Sequence, residues 1–120
     1  MTQLSRHFRR AEFECSCGCG FDTIDHATLE ILEAVRVAFG APVIVTSGAR
    51  CPEYDAKVGG VSDSQHLYGR AADIQVKGHK PAAVADFIEE QFPAASVGRY
   101  QTFTHVDTRT GAAAQWGKNG

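Results

Sequence analysis

Two histidines and one aspartate stand out in this chain as residues able to hold a metal together. They are His66 and Asp73 in SQHLYGRAADI and His105 in TFTHVDTR. Two imidazoles and a carboxylate are a common catalytic zinc set, because three protein ligands leave the fourth tetrahedral position open to water. Asp73 lies between Ala72 and Ile74 in a run that reads as a buried strand. A charge there is costly unless a partner pairs with it or it coordinates an ion. Seven extended residues span roughly 23 Å, so His66 and Asp73 meet only if the segment turns, and Gly69 permits that turn. His7, His26 and His79 have no such company and read as structural histidines.

The elements that must position these residues can be traced along the chain. A short helical turn is expected over SRHFRRAEF, with Ser5 as its cap. DTIDHATLEILEAVRVAFG is the clearest helix. Leu29, Leu32, Val35 and Phe39 recur at helical spacing, and Gly40 stands where a C-terminal cap belongs. APVIVTSGA is β-branched and reads as a strand. RCPEYDAKVGGVSDSQHL is a long connection, with Pro52 opening a helical turn and Gly59-Gly60 ending it. A connection that long in a small domain is more often functional than idle.

RAADIQVKG reads as the next strand, with Ala72, Ile74 and Val76 on one face and Ala71, Asp73 and Gln75 on the other. Asp73 can thus face a cleft while its neighbours face the core. KPAAVADFIEEQF is a second helix, bounded by Pro81 and Pro93. SVGRYQTFTHVDTR reads as two short strands around a turn, and AAAQWGKNG adds an edge strand. Helices and strands do not alternate regularly, so the expected class is α+β with a small, mainly antiparallel sheet.

The 120 residues suit one domain, 1–120, with a modest core. Apolar content of 43% and charged content of 22% are those of a globular protein. A net charge of −2 with scattered basic residues argues against a nucleic-acid partner. No apolar run approaches the roughly 20 residues that span a bilayer, so no membrane partner is expected. The N-terminus has no secretory leader pattern. The expectation is synthesis in the cytoplasm, with action outside it requiring release or delivery. Cys15, Cys17 and Cys19 crowd into CSCGCG, with Cys51 further on. One-residue gaps are tighter than those of usual zinc knuckles. Reduced thiols in a turn, a cross-link to Cys51, and a second metal site are three readings of the cluster.

Ser64, His66, Gly69, Ala71 and Asp73 reproduce the string S-x-H-x-x-G-x-A-x-D. This resembles the signature of the zinc D-Ala-D-Ala carboxypeptidases. The same fold group includes bacteriophage L-alanyl-D-glutamate endopeptidases and the hedgehog signalling domain. LSRHFRRAEFECSCGCGFDT, VTSGARCPEYDAKVGGVSDSQH and RYQTFTHVDTR are likewise similar to the short phage and prophage branch of the M15 peptidases. The resemblance implies that His66, Asp73 and His105 bind Zn²⁺. It implies too that Arg50 in SGAR binds substrate and stabilises an oxyanion. Ala49 replaces the aromatic residue of the usual motif, which would open the pocket beside Arg50.

Many relatives place a carboxylate three residues before the last histidine, where this chain has Thr102. Asp107 lies two residues after His105, on the same face if both are in a strand. It reads as a general base, as a group that orients a ligand, or as a turn carboxylate. The implied activity is hydrolysis of peptidoglycan stem peptides by a zinc peptidase, as a carboxypeptidase or an endopeptidase. An endolysin or tail-associated wall hydrolase is the expected setting, with the chain a monomer, free or attached to a phage particle. A zinc-stabilised binding module of the same fold, without turnover, is the alternative.

Overall fold

The computed structural model describes residues 3–59 and 64–117 of the chain. Helix α1 (His26–Phe39) begins at Asp25, whose carboxylate accepts from Thr28 N at 2.9 Å, and ends at Gly40 in the left-handed conformation. Strand β1 (Val43–Ser47) and helix α2 (Pro52–Lys57) follow, then a 3₁₀ turn at Gln65–Tyr68. Next come β2 (Ala71–Val76), α3 (Pro81–Gln91), β3 (Ser96–Arg99), β4 (Thr104–Asp107) and β5 (Gln115–Trp116). The sheet order is β1-β2-β4-β3-β5. The first three pairings are antiparallel, and β5 runs parallel to β3. This is the α+β class with a mainly antiparallel sheet.

One face of the sheet carries the core. Ala72, Ile74 and Val76 of β2, Val97 of β3 and Val106 of β4 pack with Leu29, Leu32 and Val35 of α1 and Val84, Ala85 and Ile88 of α3. The alternation of a strand then sends Asp73, His105 and Asp107 to the opposite face. Both helices cover the first face, so the second stays open to form a cleft.

The N-terminal segment departs from expectation. The helical turn is shorter, a 3₁₀ turn at Arg10–Phe13, and Ser5 does not cap it. Instead the Ser5 hydroxyl donates to Glu33 of α1, and His7 N donates to the same carboxylate at 2.8 Å. Glu12 closes the turn by accepting from Arg9 N at 2.7 Å. An acceptor on a neighbouring helix outcompetes the local cap, and a single stretch of sequence does not display it. Pro52 opens α2 as expected, and Gly59 follows it at φ 78°. Gly60, the second residue of the expected glycine stop, lies outside the described residues.

Candidate metal centre

His66 arrives from the 3₁₀ turn after α2, and Asp73 and His105 from the two central strands. Ser64 starts the turn by accepting from His66 N at 3.2 Å. Gly69 ends it at φ +67°, where a side chain would meet Thr23 backbone. The turn that brings His66 back toward Asp73 therefore needs glycine at this position. It is tied down on both flanks. Arg50 N donates to His66 O at 3.1 Å, and Asp25 N, at the start of α1, donates to Gly69 O at 2.8 Å.

Asp73 and His105 are register partners across β2 and β4. All three side chains are buried, and their donor atoms lie within 4.8 Å of one another. Asp73 Oδ1 stands 2.8 Å from His105 Nδ1 and 3.4 Å from His66 Nε2. A tetrahedral ion with ligands at about 2.0–2.1 Å sets its donors about 3.3 Å apart. The spacing fits zinc.

The outer atoms of both rings decide the fit further. His66 Nδ1 donates to Gly48 O at 2.6 Å, which leaves the Nε2 lone pair facing inward. His105 Nε2 donates to Asp107 Oδ2 at 2.7 Å, which leaves Nδ1 facing Asp73. Each histidine thus has its metal-facing nitrogen fixed by an acceptor on the far side, as zinc-binding histidines do. Among the protein groups alone, burial would raise Asp73, but hydrogen bonds from His105 and His66 hold it well below the usual carboxylate range. Burial would lower His105, yet the hydrogen bonds to Asp107 and Asp73 raise it.

Asp107 is wholly buried, and both its oxygens are engaged. Arg109 Nη2 donates to Oδ2 at 2.7 Å, while Arg109 Nε and N donate to Oδ1 at 2.9 and 3.2 Å. Burial would push this carboxyl up, but Arg109 and His105 hold it well below its ordinary range. Thr102 is exposed and belongs to a separate depression beside Ile44 and Val84, not to the cleft.

Arg50 stands on the cleft wall. Its guanidinium reaches Asp55 Oδ1 at 3.2 Å and Asp73 Oδ2 at 3.4 Å, while Nε donates to Ser47 Oγ at 3.1 Å. The cleft holds about 500 Å³ and is also lined by Tyr100, Phe103 and Trp116. Trp116 packs on His105 with centroids 5.1 Å apart. Gly98 makes room for it, since a Cβ there would stand 2.5 Å from the indole.

Asp55, Arg109, Trp116 and the Gly48 carbonyl were not among the expected site groups. Arg109 lies at the end of the family-like string RYQTFTHVDTR, and Gly48 and Asp55 lie within VTSGARCPEYDAKVGGVSDSQH, whereas Trp116 lies in no such string. The structure brings His66, Asp73, His105, Arg50 and Asp107 to one cleft and leaves the other histidines away from it. His7 meets Glu33 at 2.6 Å, His26 meets Glu30 at 2.8 Å, and His79 packs edge-on against Phe39. No described helix is long and apolar enough to cross a membrane.

A family model described as Peptidase M15 matches residues 6–107. A zinc D-Ala-D-Ala carboxypeptidase of Streptomyces albus G is 44% identical over 48 residues. That match covers 39% of this chain and 19% of the relative.

Proposed function

The chain belongs to the M15 peptidase family, and from that premise we propose that it is a zinc peptidase that cuts the stem peptides of peptidoglycan. The observation that carries this reading is the buried His66–Asp73–His105 set at the base of an open cleft with Arg50 beside it. The name of the Streptomyces relative, a zinc D-Ala-D-Ala carboxypeptidase, supports a D-alanyl peptide substrate. The cleft is large enough for a short peptide.

His66, Asp73 and His105 would hold the zinc, which would supply Lewis acidity toward a peptide carbonyl and lower the pKa of water from about 15.7 toward 7. The remaining roles fall to the chain itself. Arg50 directs its guanidinium at the oxygen on which charge develops as the amide carbon becomes tetrahedral. Ser47, Asp55 and Asp73 hold that guanidinium in place, so little reorganisation is needed during reaction. Asp107 orients His105, and the Gly48 carbonyl orients His66. Tyr100, Phe103 and Trp116 offer apolar walls to the small side chains of a stem peptide. The setting in keeping with the phage-like sequence strings is an endolysin or tail-associated wall hydrolase, acting on the wall after release or delivery.

Digestion of purified muropeptides of defined length, with the products weighed, tests the proposal and identifies the bond. Turnover should be lost on chelation and restored by zinc. Release of a terminal D-Ala marks a carboxypeptidase, and cleavage within the stem an endopeptidase. Zinc-loaded protein that binds muropeptides without cutting them would establish the binding module instead.

A further inference from the structure

Outside the cleft, four thiols converge on one point. Cys15, Cys17 and Cys19 come from the loop after the first 3₁₀ turn, and Cys51 comes from the residue before α2. All four Sγ atoms lie within 4.8 Å of one another. Cys15 and Cys17 are 3.4 Å apart, Cys17 and Cys51 3.5 Å, and Cys15 and Cys51 3.9 Å. Four thiolates about 2.3 Å from a tetrahedral zinc stand about 3.8 Å from each other. The three spacings bracket that value.

A disulfide explains this arrangement poorly. It would draw one pair of sulfurs to about 2.05 Å and leave the others no reason to gather at near-equal distances. Independent reduced thiols explain it no better, because three residues of one loop would not need to turn toward a fourth from elsewhere. Backbone hydrogen bonds also hold Cys15 and Cys51 in place, while Cys17 and Cys19 are exposed. Cys51 N donates to Cys15 Sγ at 3.5 Å, Cys15 N donates to Phe21 O at 2.7 Å, and Gly18 N donates to Cys15 O at 3.1 Å.

The donor set is all sulfur, with no imidazole or carboxylate among the described residues in the group. Tetrahedral all-thiolate sites select zinc or iron–sulfur centres and disfavour the hard cations. We propose that Cys15, Cys17, Cys19 and Cys51 bind a structural zinc ion, separate from the ion held by His66, Asp73 and His105. Binding transfers four thiol protons to solvent and forms four Zn–S bonds, so the complex carries a net charge of −2. Four ligands close the coordination shell, leaving no position for substrate or water.

The consequence reaches the cleft. Cys51 directly follows Arg50, whose backbone N donates to His66 O. The zinc would staple the N-terminal loop to the segment that presents Arg50 and the Gly48 carbonyl.

Metal analysis and cobalt exchange test the proposal on the full chain. The parent protein should contain two zinc ions, and a His66→Ala/His105→Ala variant should retain one. Cobalt exchanged into that variant should show the intense near-ultraviolet charge-transfer band of thiolate-bound cobalt. Adding Cys51→Ser should abolish the band. Because the cysteine variant could misfold, native alkylation of the parent protein gives an independent readout. The thiols should resist alkylation until a chelator is added, and then all four cysteines should react. Three outcomes overturn the proposal: four freely reactive thiols with no cobalt–thiolate band, a mass two hydrogens lower for each cross-link, or iron in place of zinc. None of these bears on the histidine site, whose metal and activity are measured separately.

Discussion

Asp73 of β2 lies directly opposite His105 of β4, and the pairing sets Asp73 Oδ1 2.8 Å from His105 Nδ1. Two of the three proposed metal ligands are therefore fixed by sheet register. A one-residue slip of either strand would turn its own residue toward the core side and break the set. His66 is different, because it depends on the loop anchored at Gly48, Arg50 and Asp25. The strands preorganise two of these three residues, and the loop supplies the third.

Removing any one ligand should release the cleft zinc. His66→Ala, Asp73→Ala and His105→Ala should each contain about one zinc equivalent fewer than the parent protein, since a catalytic site has only three protein ligands. Metal analysis after gel filtration checks this. Full stoichiometry in all three variants would sink the assignment.

Arg50→Ala should lower turnover by about 10²–10³, as for the loss of one oxyanion donor, with cleft zinc retained. It should also destabilise the fold. Asp55 is buried, and an uncompensated buried charge costs about 3–5 kcal/mol. Adding Asp55→Asn removes that charge, so the double variant should regain stability but not turnover. Recovery of turnover along with the melting temperature would show that Arg50 acts only by holding Asp55.

Glu33 links the N-terminal segment to α1, and its stability contribution should depend on pH. Burial would raise its carboxyl, but hydrogen bonds from Ser5 and His7 outweigh burial and lower it from the usual 4.5. A carboxyl lowered by folding contributes fully above its unfolded value and loses that contribution as pH falls through its folded value. Glu33→Ala should therefore cost about 1.5–3 kcal/mol at neutral pH, the worth of hydrogen bonds to a charged group. The difference from the parent protein should shrink as pH drops below 4.5. Denaturant melts at several pH values measure it, and a pH-independent difference would contradict it.

How much of this was legible in the sequence depended on whether the cause was local. The α1 cap at Gly40 and the two-faced strand around Asp73 follow from periodicity and turn chemistry, so both could be read directly. The proposed ligands His66, Asp73 and His105 were marked by their types and by strings similar to those of a family. Ser5 was misread because its partner, Glu33, is 28 residues away. Asp55 looked like any acid in a helical turn, and nothing in the sequence indicates that it would be buried against Arg50. Trp116 carried no signal either, because its contact with His105 depends on a parallel pairing of β5 with β3. Long-range polar partners are invisible to local pattern, and they are the groups that tune this site.

Asp107 should prove to be a positioning group for His105 rather than the base. Its side chain is 0% exposed, and both oxygens already accept hydrogen bonds. A general base needs an oxygen within reach of the attacking water, and here Arg109 and the His105 ring occupy them. What Asp107 can do is hold His105 Nε2–H, which fixes the tautomer and aims Nδ1 at the metal. Losing such a partner weakens metal binding by about 10–100-fold. Asp107→Asn should therefore lower zinc affinity by that factor in competition with a chromophoric chelator. With zinc saturating, its turnover should remain close to that of the parent protein. The base reading predicts the reverse: unchanged affinity, with turnover lower by about 10²–10⁴. Arg109→Ala supplies a control, because it removes the guanidinium from both oxygens of Asp107 while leaving the contact with His105. If Asp107 orients the ring, this variant should lose less zinc affinity than Asp107→Asn. An equal or larger loss would mean that Arg109, not the carboxylate, holds His105 in place.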